Sequence, residues 1–65
     1  MGQKDTLLLL HEVGGYATVN ELAEFAISYY DDVQLARGIS SDLQGLKRWE
    51  SVNYDVKTKI WSIQN

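Results

Sequence analysis

Along most of the chain the hydrophobic residues recur with the spacing of a helix, and towards the C-terminal end they alternate as in a strand. In the first segment, Leu7, Leu10 and Val13 fall on one side of a helix. Gly14-Gly15 follows directly, and glycine commonly ends helices because it adopts the left-handed backbone conformation without strain. The pattern predicts helix 1 over about residues 4–13.

A capping box marks the start of the second helix. Thr18 and Glu21 are spaced so that the hydroxyl and the carboxylate can each accept a hydrogen bond from a free backbone N–H at the helix start. Leu22, Ala26 and Tyr29 then share one face of the helix. The pattern predicts helix 2 over about residues 19–30.

The third helix has the most regular apolar pattern. Its hydrophobic positions stand at i, i+4, i+8 and i+11 and stack into one stripe, which consists of Leu35, Ile39, Leu43 and Leu46. Asp31 is expected to cap this helix, with Gln34 as the return partner. The pattern predicts helix 3 over about residues 32–48.

After the third helix the period changes to that of a strand. Val52 and Tyr54 alternate with polar residues, and so do Trp61 and Ile63. The segment 55–58 between them is a plausible hairpin tip. We therefore predict a hairpin over about residues 50–63 and a single α+β domain over residues 1–65, with three helices followed by a two-stranded antiparallel hairpin.

The composition excludes several classes of function. The chain has no cysteine and one histidine, which argues against disulfides and against a metal site, and a chain of 65 residues has little room for a catalytic cleft. We expect no enzyme activity and no cofactor. The longest apolar run, Leu7–Leu10, is far below the ~20 residues of a membrane span. With no secretory signal apparent and no cysteine, a cytoplasmic location is expected.

Charge is unevenly distributed along the chain. The formal net charge is −3, but residues 1–36 hold one base and six acids, whereas residues 37–65 hold five bases and three acids. The division favours a molecule that has an acidic side and a basic side, the alternative being chance scatter of fifteen charges.

The order of elements resembles the winged helix-turn-helix family. The segment 15–23, GYATVNELA, is similar to the family's capped turn into its second helix, and Leu43-x-x-Leu46 followed by Val52 is similar to the end of the recognition helix and the first strand of the wing. The segment 60–63, IWSI, is similar to the closing strand. The segment between the Leu22-Ala23 pair and the Leu43/Leu46 pair is several residues longer than the compact helix-turn-helix of the family normally has. Either helix 2 continues through Tyr30 or helix 3 begins a turn early.

The resemblance implies that the domain binds double-stranded DNA as part of a transcriptional regulator, with helix 3 in the major groove. At 100° per residue, the side chains opposite the leucine stripe would face the bases, and these are Arg37, Ser41, Gln44 and Arg48. The alternative is that they form an ordinary solvated face. Lys47, Lys57 and Lys59 suit phosphate contacts, although each alone could be a surface lysine. The competing function is a winged-helix protein-interaction module that does not bind DNA.

Three further features have two interpretations each. Gly38 and Gly45 lie on one stripe of helix 3 and predict a close approach, by helix 2 or by a phosphate backbone. Trp49 and Trp61 are expected to close the core beside Leu43 and Leu46, the alternative being stacking on single-stranded bases. Tyr29 and Tyr30 cannot both face inward, and an exposed tyrosine indicates either a weak homodimer contact or chance exposure.

Overall fold

Three helices and three short strands follow one another in the computed structural model, which describes residues 3–64. The elements are α1 (Gln3–Glu12), β1 (Tyr16–Ala17), α2 (Val19–Tyr30), α3 (Val33–Arg48), β2 (Val52–Asp55) and β3 (Ile60–Ile63). The fold is α+β, and each predicted helix boundary lies within one residue of the observed one. Residues 1, 2 and 65 of the predicted domain lie outside the described range.

The sheet has three strands, so the predicted two-stranded arrangement is incomplete. β3 pairs antiparallel with β2 as predicted, and on its other edge it pairs antiparallel with β1, which gives the order β1-β3-β2. β1 has only two residues, which are too few to show the alternation by which a strand is recognised in a sequence, so the sequence pattern did not predict it. Gly14 and Gly15 have φ values of 106° and 95° and form the turn that brings the chain from α1 into β1.

The apolar stripe of α3 forms the centre of the core. It packs against α1, α2 and the sheet. The core consists of Leu9, Leu10, Ala17, Leu22, Ala26, Leu35, Ile39, Leu43, Leu46, Val52 and Trp61. Because every element contributes to this one cluster, the orientation of α3 is fixed from both sides, and the residues opposite its stripe face away from the core.

The junction between α2 and α3 corrects one prediction. Asp31 does not cap α3; it ends α2 in a left-handed conformation with φ 51°, and its N–H donates to the Ile27 carbonyl at 3.0 Å. The cap of α3 is Asp32, whose carboxylate accepts from the Leu35 N–H at 2.9 Å. Since Asp31 still belongs to the last turn of α2, the residue after it is the first one free to cap the next helix.

The two tryptophans have different environments. Trp61 is buried, with 2% of its surface exposed, and belongs to the same cluster as Leu43 and Leu46, as predicted. Trp49 is 76% exposed, so the prediction that it closes the core is wrong. Trp49 is the C-cap residue of α3, where the two-residue alternation of a strand does not apply, and the chain turns away at Glu50 with φ 60°.

Candidate nucleic-acid interface

The predicted base-reading residues all lie on the exposed face of α3. Leu35, Leu43 and the rest of the stripe are buried, and the side chains on the opposite side of the helix are exposed: Arg37, Ser41, Gln44 and Arg48. At 100° per residue, Arg37 lies about 200° and Gln44 about 180° from Leu35. The four side chains therefore form one row along the helix, and we call it the α3 row.

Asp42, the one acidic residue of α3, lies away from the α3 row, because it stands seven residues after Leu35 and so falls on the same side of the helix. The Thr6 hydroxyl of α1 donates a 2.7 Å hydrogen bond to Oδ2 of Asp42, and Thr6 is completely buried. Asp42 is half-buried as a result. The exposed surface of α3 consequently presents arginine, lysine and polar side chains without an exposed carboxylate between Val33 and Arg48. The sequence analysis missed this contact, because a threonine just before a run of leucines gives no sign of a partner 36 residues away.

Lys47 lies where α3 meets the sheet. Its ammonium group stands over the ring of Tyr54 on β2, at 5.8 Å from the ring centroid. The Tyr54 ring in turn packs on Trp61, with 4.5 Å between centroids. A cation held over an aromatic face gains a modest electrostatic attraction and keeps its charge exposed. Lys47 is thereby placed next to the hairpin while remaining available to solvent.

The hairpin turn consists of residues 56–59, one residue later than the predicted tip. The Asp55 carboxylate accepts hydrogen bonds from the N–H groups of Lys57 and Thr58, at 2.9 and 3.4 Å. The N–H of Lys59 donates to the Asp55 carbonyl at 2.7 Å, and Lys59 has a φ of 61°. Asp55 therefore organises the turn that glycine would ordinarily form, and both lysines are exposed.

Lys59 is close to the start of α2 as well as to the hairpin. A shallow groove of about 290 Å³ is lined by Lys59 and Thr58 together with Thr18 and Asn20 at the α2 N-terminus. The N-terminal end of a helix carries partial positive charge, although the Thr18–Glu21 capping box, which forms as predicted, uses two of its N–H groups. The structure thus places Lys59 towards α2, whereas Lys57 stands at the tip.

The glycine stripe of α3 has a packing role that differs from the prediction. A Cβ atom on Gly45 would collide with the side chain of Gln3 on α1, so the element that approaches closely is α1 and not α2. Gly38 has no such neighbour, since its Cβ would meet only Oδ2 of Asp42, at 3.6 Å. The contacts within the described residues do not explain Gly38, and at Gly45 the nearest obstacle is the end of the exposed Gln3 side chain.

The acidic residues of the first half lie mainly on α1, α2 and their junction with α3. Among them Glu12 accepts a hydrogen bond from the Tyr30 hydroxyl, and this bond, with some burial and the Glu12 charge, raises the pKa of Tyr30 above 10.0. Tyr29 and Tyr30 are both exposed, and the Tyr29 ring stacks on Phe25 with 4.9 Å between centroids.

Other kinds of site find little support in the described part of the chain. Within residues 3–64 no group of three or more histidine and acidic side chains is arranged to hold a metal ion. No helix in that range has the length and apolar character needed to cross a membrane. Comparisons with family models, with curated proteins and with solved structures found no match to this chain.

Proposed function

We propose that this chain is a double-stranded DNA-binding domain of a transcriptional regulator, with α3 in the major groove and the hairpin turn on an adjacent backbone. The observation that carries the proposal is the exposed surface of α3, where the α3 row holds no carboxylate, since Asp42, the one acid of the helix, lies on the side of Leu35 and is bonded to Thr6. The order of helices and the three-stranded sheet are compatible with the winged helix-turn-helix family that the sequence resembles.

The side chains of the α3 row match the chemistry of base edges. An arginine such as Arg37 or Arg48 can donate two hydrogen bonds to guanine O6 and N7, and Gln44 can pair with adenine through its amide. The Ser41 hydroxyl can serve a base or a phosphate. Successive members of the row lie three or four residues apart on one face of a helix, the element that the major groove admits.

The lysines supply contacts that orient the domain without reading sequence. Lys47 is beside the hairpin at the end of α3, Lys57 is at the turn, and Lys59 is between the turn and the start of α2. Lysine contacts to phosphates fix register and supply most of the salt-dependent affinity. Together with the arginines they give the C-terminal half its excess of positive charge.

The acidity of the first half is compatible with DNA binding only if those charges face away from the duplex. The buried stripe of α3 faces α1 and α2, which carry Asp5, Glu12, Glu21 and Glu24, whereas the α3 row faces the opposite way. A duplex on the α3 row would therefore have the body of the domain between it and most of the carboxylates. Besides Asp42, which is bonded to Thr6, the acids nearest to the proposed interface in sequence are Glu50 and Asp55.

A protein-interaction module that does not bind DNA is the second candidate. The net charge of −3 favours it, and so does the exposure of Trp49, since large aromatic side chains are enriched at protein interfaces. Fold does not discriminate between these functions, because related architectures serve both.

Titration of the protein with generic duplex DNA tests the proposal. We expect binding at about 50 mM salt that weakens steeply as salt is raised, and that is lost in the double variant R37E/R48E. Lys4→Glu is the matched control, since it reverses an exposed charge on α1 and should have a much smaller effect. Undetectable duplex binding, or binding that R37E/R48E leaves unchanged, would replace the DNA proposal with the protein-interaction module.

A further inference from the structure

A groove between α1 and the junction of α2 with α3 combines an apolar floor with an acidic rim. It encloses about 440 Å³. Leu8, Leu9 and Leu35 provide the apolar surface together with the ring of Tyr30, and the charged side chains that line it are all carboxylates, namely Asp5, Glu12 and Asp32. We call it the α1 groove.

We propose that the α1 groove binds a basic amphipathic helix of a partner protein, one that presents a leucine-like stripe flanked by lysine or arginine. The argument is charge complementarity around an apolar centre. The lining residues of the groove carry three carboxylates and no basic side chain. An apolar segment flanked by cations would bury its stripe on the leucines while its charges meet the rim.

The arrangement on α1 suits a helical partner. Leu8 stands three residues after Asp5 and four before Glu12, so the three side chains share one face of the helix. Leu8 is 60% exposed, which leaves most of a large apolar side chain for a partner to cover. On the other side of the groove, the Tyr30 hydroxyl donates a hydrogen bond to Glu12 of α1. This bond holds the Tyr30 ring in place as the wall that faces α1.

Two of the rim carboxylates accept hydrogen bonds from within the domain. Asp32 accepts the capping bond from the Leu35 N–H through one oxygen, and Glu12 accepts from Tyr30 through one oxygen. A carboxylate offers about four acceptor positions on its two oxygens, so each retains capacity for a lysine or arginine donor. The internal bonds fix the position of the rim before a partner arrives, which lowers the entropic cost of binding.

A second copy of the chain is a poorer occupant. Two copies meeting groove to groove would bring carboxylates against carboxylates, which is unfavourable. The helix of this chain that carries basic residues, α3, has its apolar stripe buried in its own core and offers only the polar α3 row. The occupant therefore has to come from a different polypeptide segment.

The α1 groove is independent of the proposed DNA surface. Leu35 lines the groove, and the α3 row begins about 200° around the helix from it at Arg37. Partner and DNA could be bound at the same time. The proposal goes beyond DNA binding and does not require it, because its test uses no DNA.

The test is a calorimetric titration of the intact chain with a designed peptide of about four helical turns, with leucine at i, i+3, i+4 and i+7 and lysine on the flanking positions. One comparison peptide carries glutamate in place of lysine, and another has the same composition in scrambled order. We expect the lysine peptide alone to bind, and Leu8→Gln and Glu12→Gln each to weaken it about tenfold. Val56→Gln, which changes an equally exposed apolar residue on the hairpin turn, is the matched control and should not affect binding.

Several outcomes would overturn the proposal. These are no binding of the lysine peptide at about 1 mM, equal binding of the scrambled peptide, or binding that Leu8→Gln leaves unchanged. Sedimentation in which the free chain self-associates and Leu8→Gln abolishes the association would assign the groove to a second copy instead. The Leu8→Gln melt should match the parent, and Glu12→Gln should remain folded with at most a small loss from its weakened hydrogen bond with Tyr30, since both side chains are exposed.

Discussion

The Thr6 hydroxyl and the Asp42 carboxylate are joined by a 2.7 Å hydrogen bond that connects α1 to α3. The bond has two effects. It satisfies the one buried polar side chain of the core within the described residues, and it gives the single carboxylate of α3 a partner on the α1 side of the helix. The contact therefore contributes to stability and occupies the one acidic side chain of the helix that carries the α3 row.

Replacing Thr6 by valine should destabilise the domain by about 1.5–3 kcal/mol, because it removes a hydrogen bond to a charged group and leaves the half-buried Asp42 carboxylate without that donor. The measurement is urea unfolding. Thr58→Val, on the exposed hairpin turn, is the matched control and should change the free energy of unfolding by less than about 0.5 kcal/mol. Equal stability of the Thr6 variant and the parent would contradict the role assigned to this bond.

The two tryptophans should respond oppositely to truncation. Trp61→Ala removes a buried side chain and should cost about 3–5 kcal/mol, enough to unfold much of a domain of this size. Trp49→Ala removes an exposed one and should change the free energy of unfolding by no more than about 0.5 kcal/mol. Thermal melts of both variants check this, and an unfolded Trp49→Ala protein would show that its ring packs on the core.

Substitutions on the DNA surface should separate base contacts from phosphate contacts. With about three to four phosphates neutralised, log K should fall against log salt with a slope of roughly −3 to −4, and Lys57→Ala should reduce that slope by about 1 for every sequence. Arg37→Ala or Gln44→Ala should instead cost about 1–3 kcal/mol at the preferred site and relax its specificity. Lys4→Ala serves as the control on α1, and identical effects of Lys57→Ala and Arg37→Ala would argue against base reading.

Tyr30 should lose its phenol proton at higher pH than an ordinary tyrosine. Its hydrogen bond to Glu12 raises the pKa above 10.0, so the folded state holds this proton more tightly than the unfolded state does. The resulting stabilisation is complete below pH 10 and is lost as pH rises through the folded-state pKa of Tyr30. Phenolate absorbance, with Tyr30→Phe to identify the signal, should show that Glu12→Gln lowers the pKa of Tyr30. Glu24→Gln, the control, should leave it unchanged.

The domain should self-associate weakly through Tyr29 or Tyr30. Tyr29 is 72% exposed and stacked on Phe25, which presents a flat aromatic surface at the end of α2. Dimers that read two half-sites are a common way to extend a short DNA contact. Tyr29→Ser should reduce association in sedimentation, whereas Tyr16→Ser, at a similarly exposed tyrosine on β1, should not. A strict monomer at high concentration, with and without DNA, would rule the contact out.

The helices were predictable because each has its own local signal. The capping box at Thr18 and Glu21 and the stripe from Leu35 to Leu46 depend on residues three or four positions apart, and helical contacts have that range. The linker between α2 and α3 was misassigned by one residue at Asp31, since either of two adjacent aspartates satisfies the same sequence rule.

Features that depend on distant residues were not predictable. β1 exists only because β3 pairs with it, and the Thr6 hydroxyl is satisfied in the core because the Asp42 carboxylate lies opposite. Trp49 was misplaced because its environment depends on how the chain leaves α3, where Glu50 turns it away with φ 60°. The exposure of the α3 row and the position of Asp42 away from it both follow from helical geometry, but the hydrogen bond from Thr6 to Asp42 does not.

The position of β3 in the centre of the sheet has a consequence for the order of assembly. Tyr16 pairs with Ser62, so closing the β1–β3 ladder means closing a loop that contains both α2 and α3. The helices, whose contacts are closer in sequence, can form and associate first, and the sheet must wait for the last strand to arrive. A nascent chain that has emerged only as far as Thr58 would hold three helices, two unpaired strands and a core still open where Trp61 belongs.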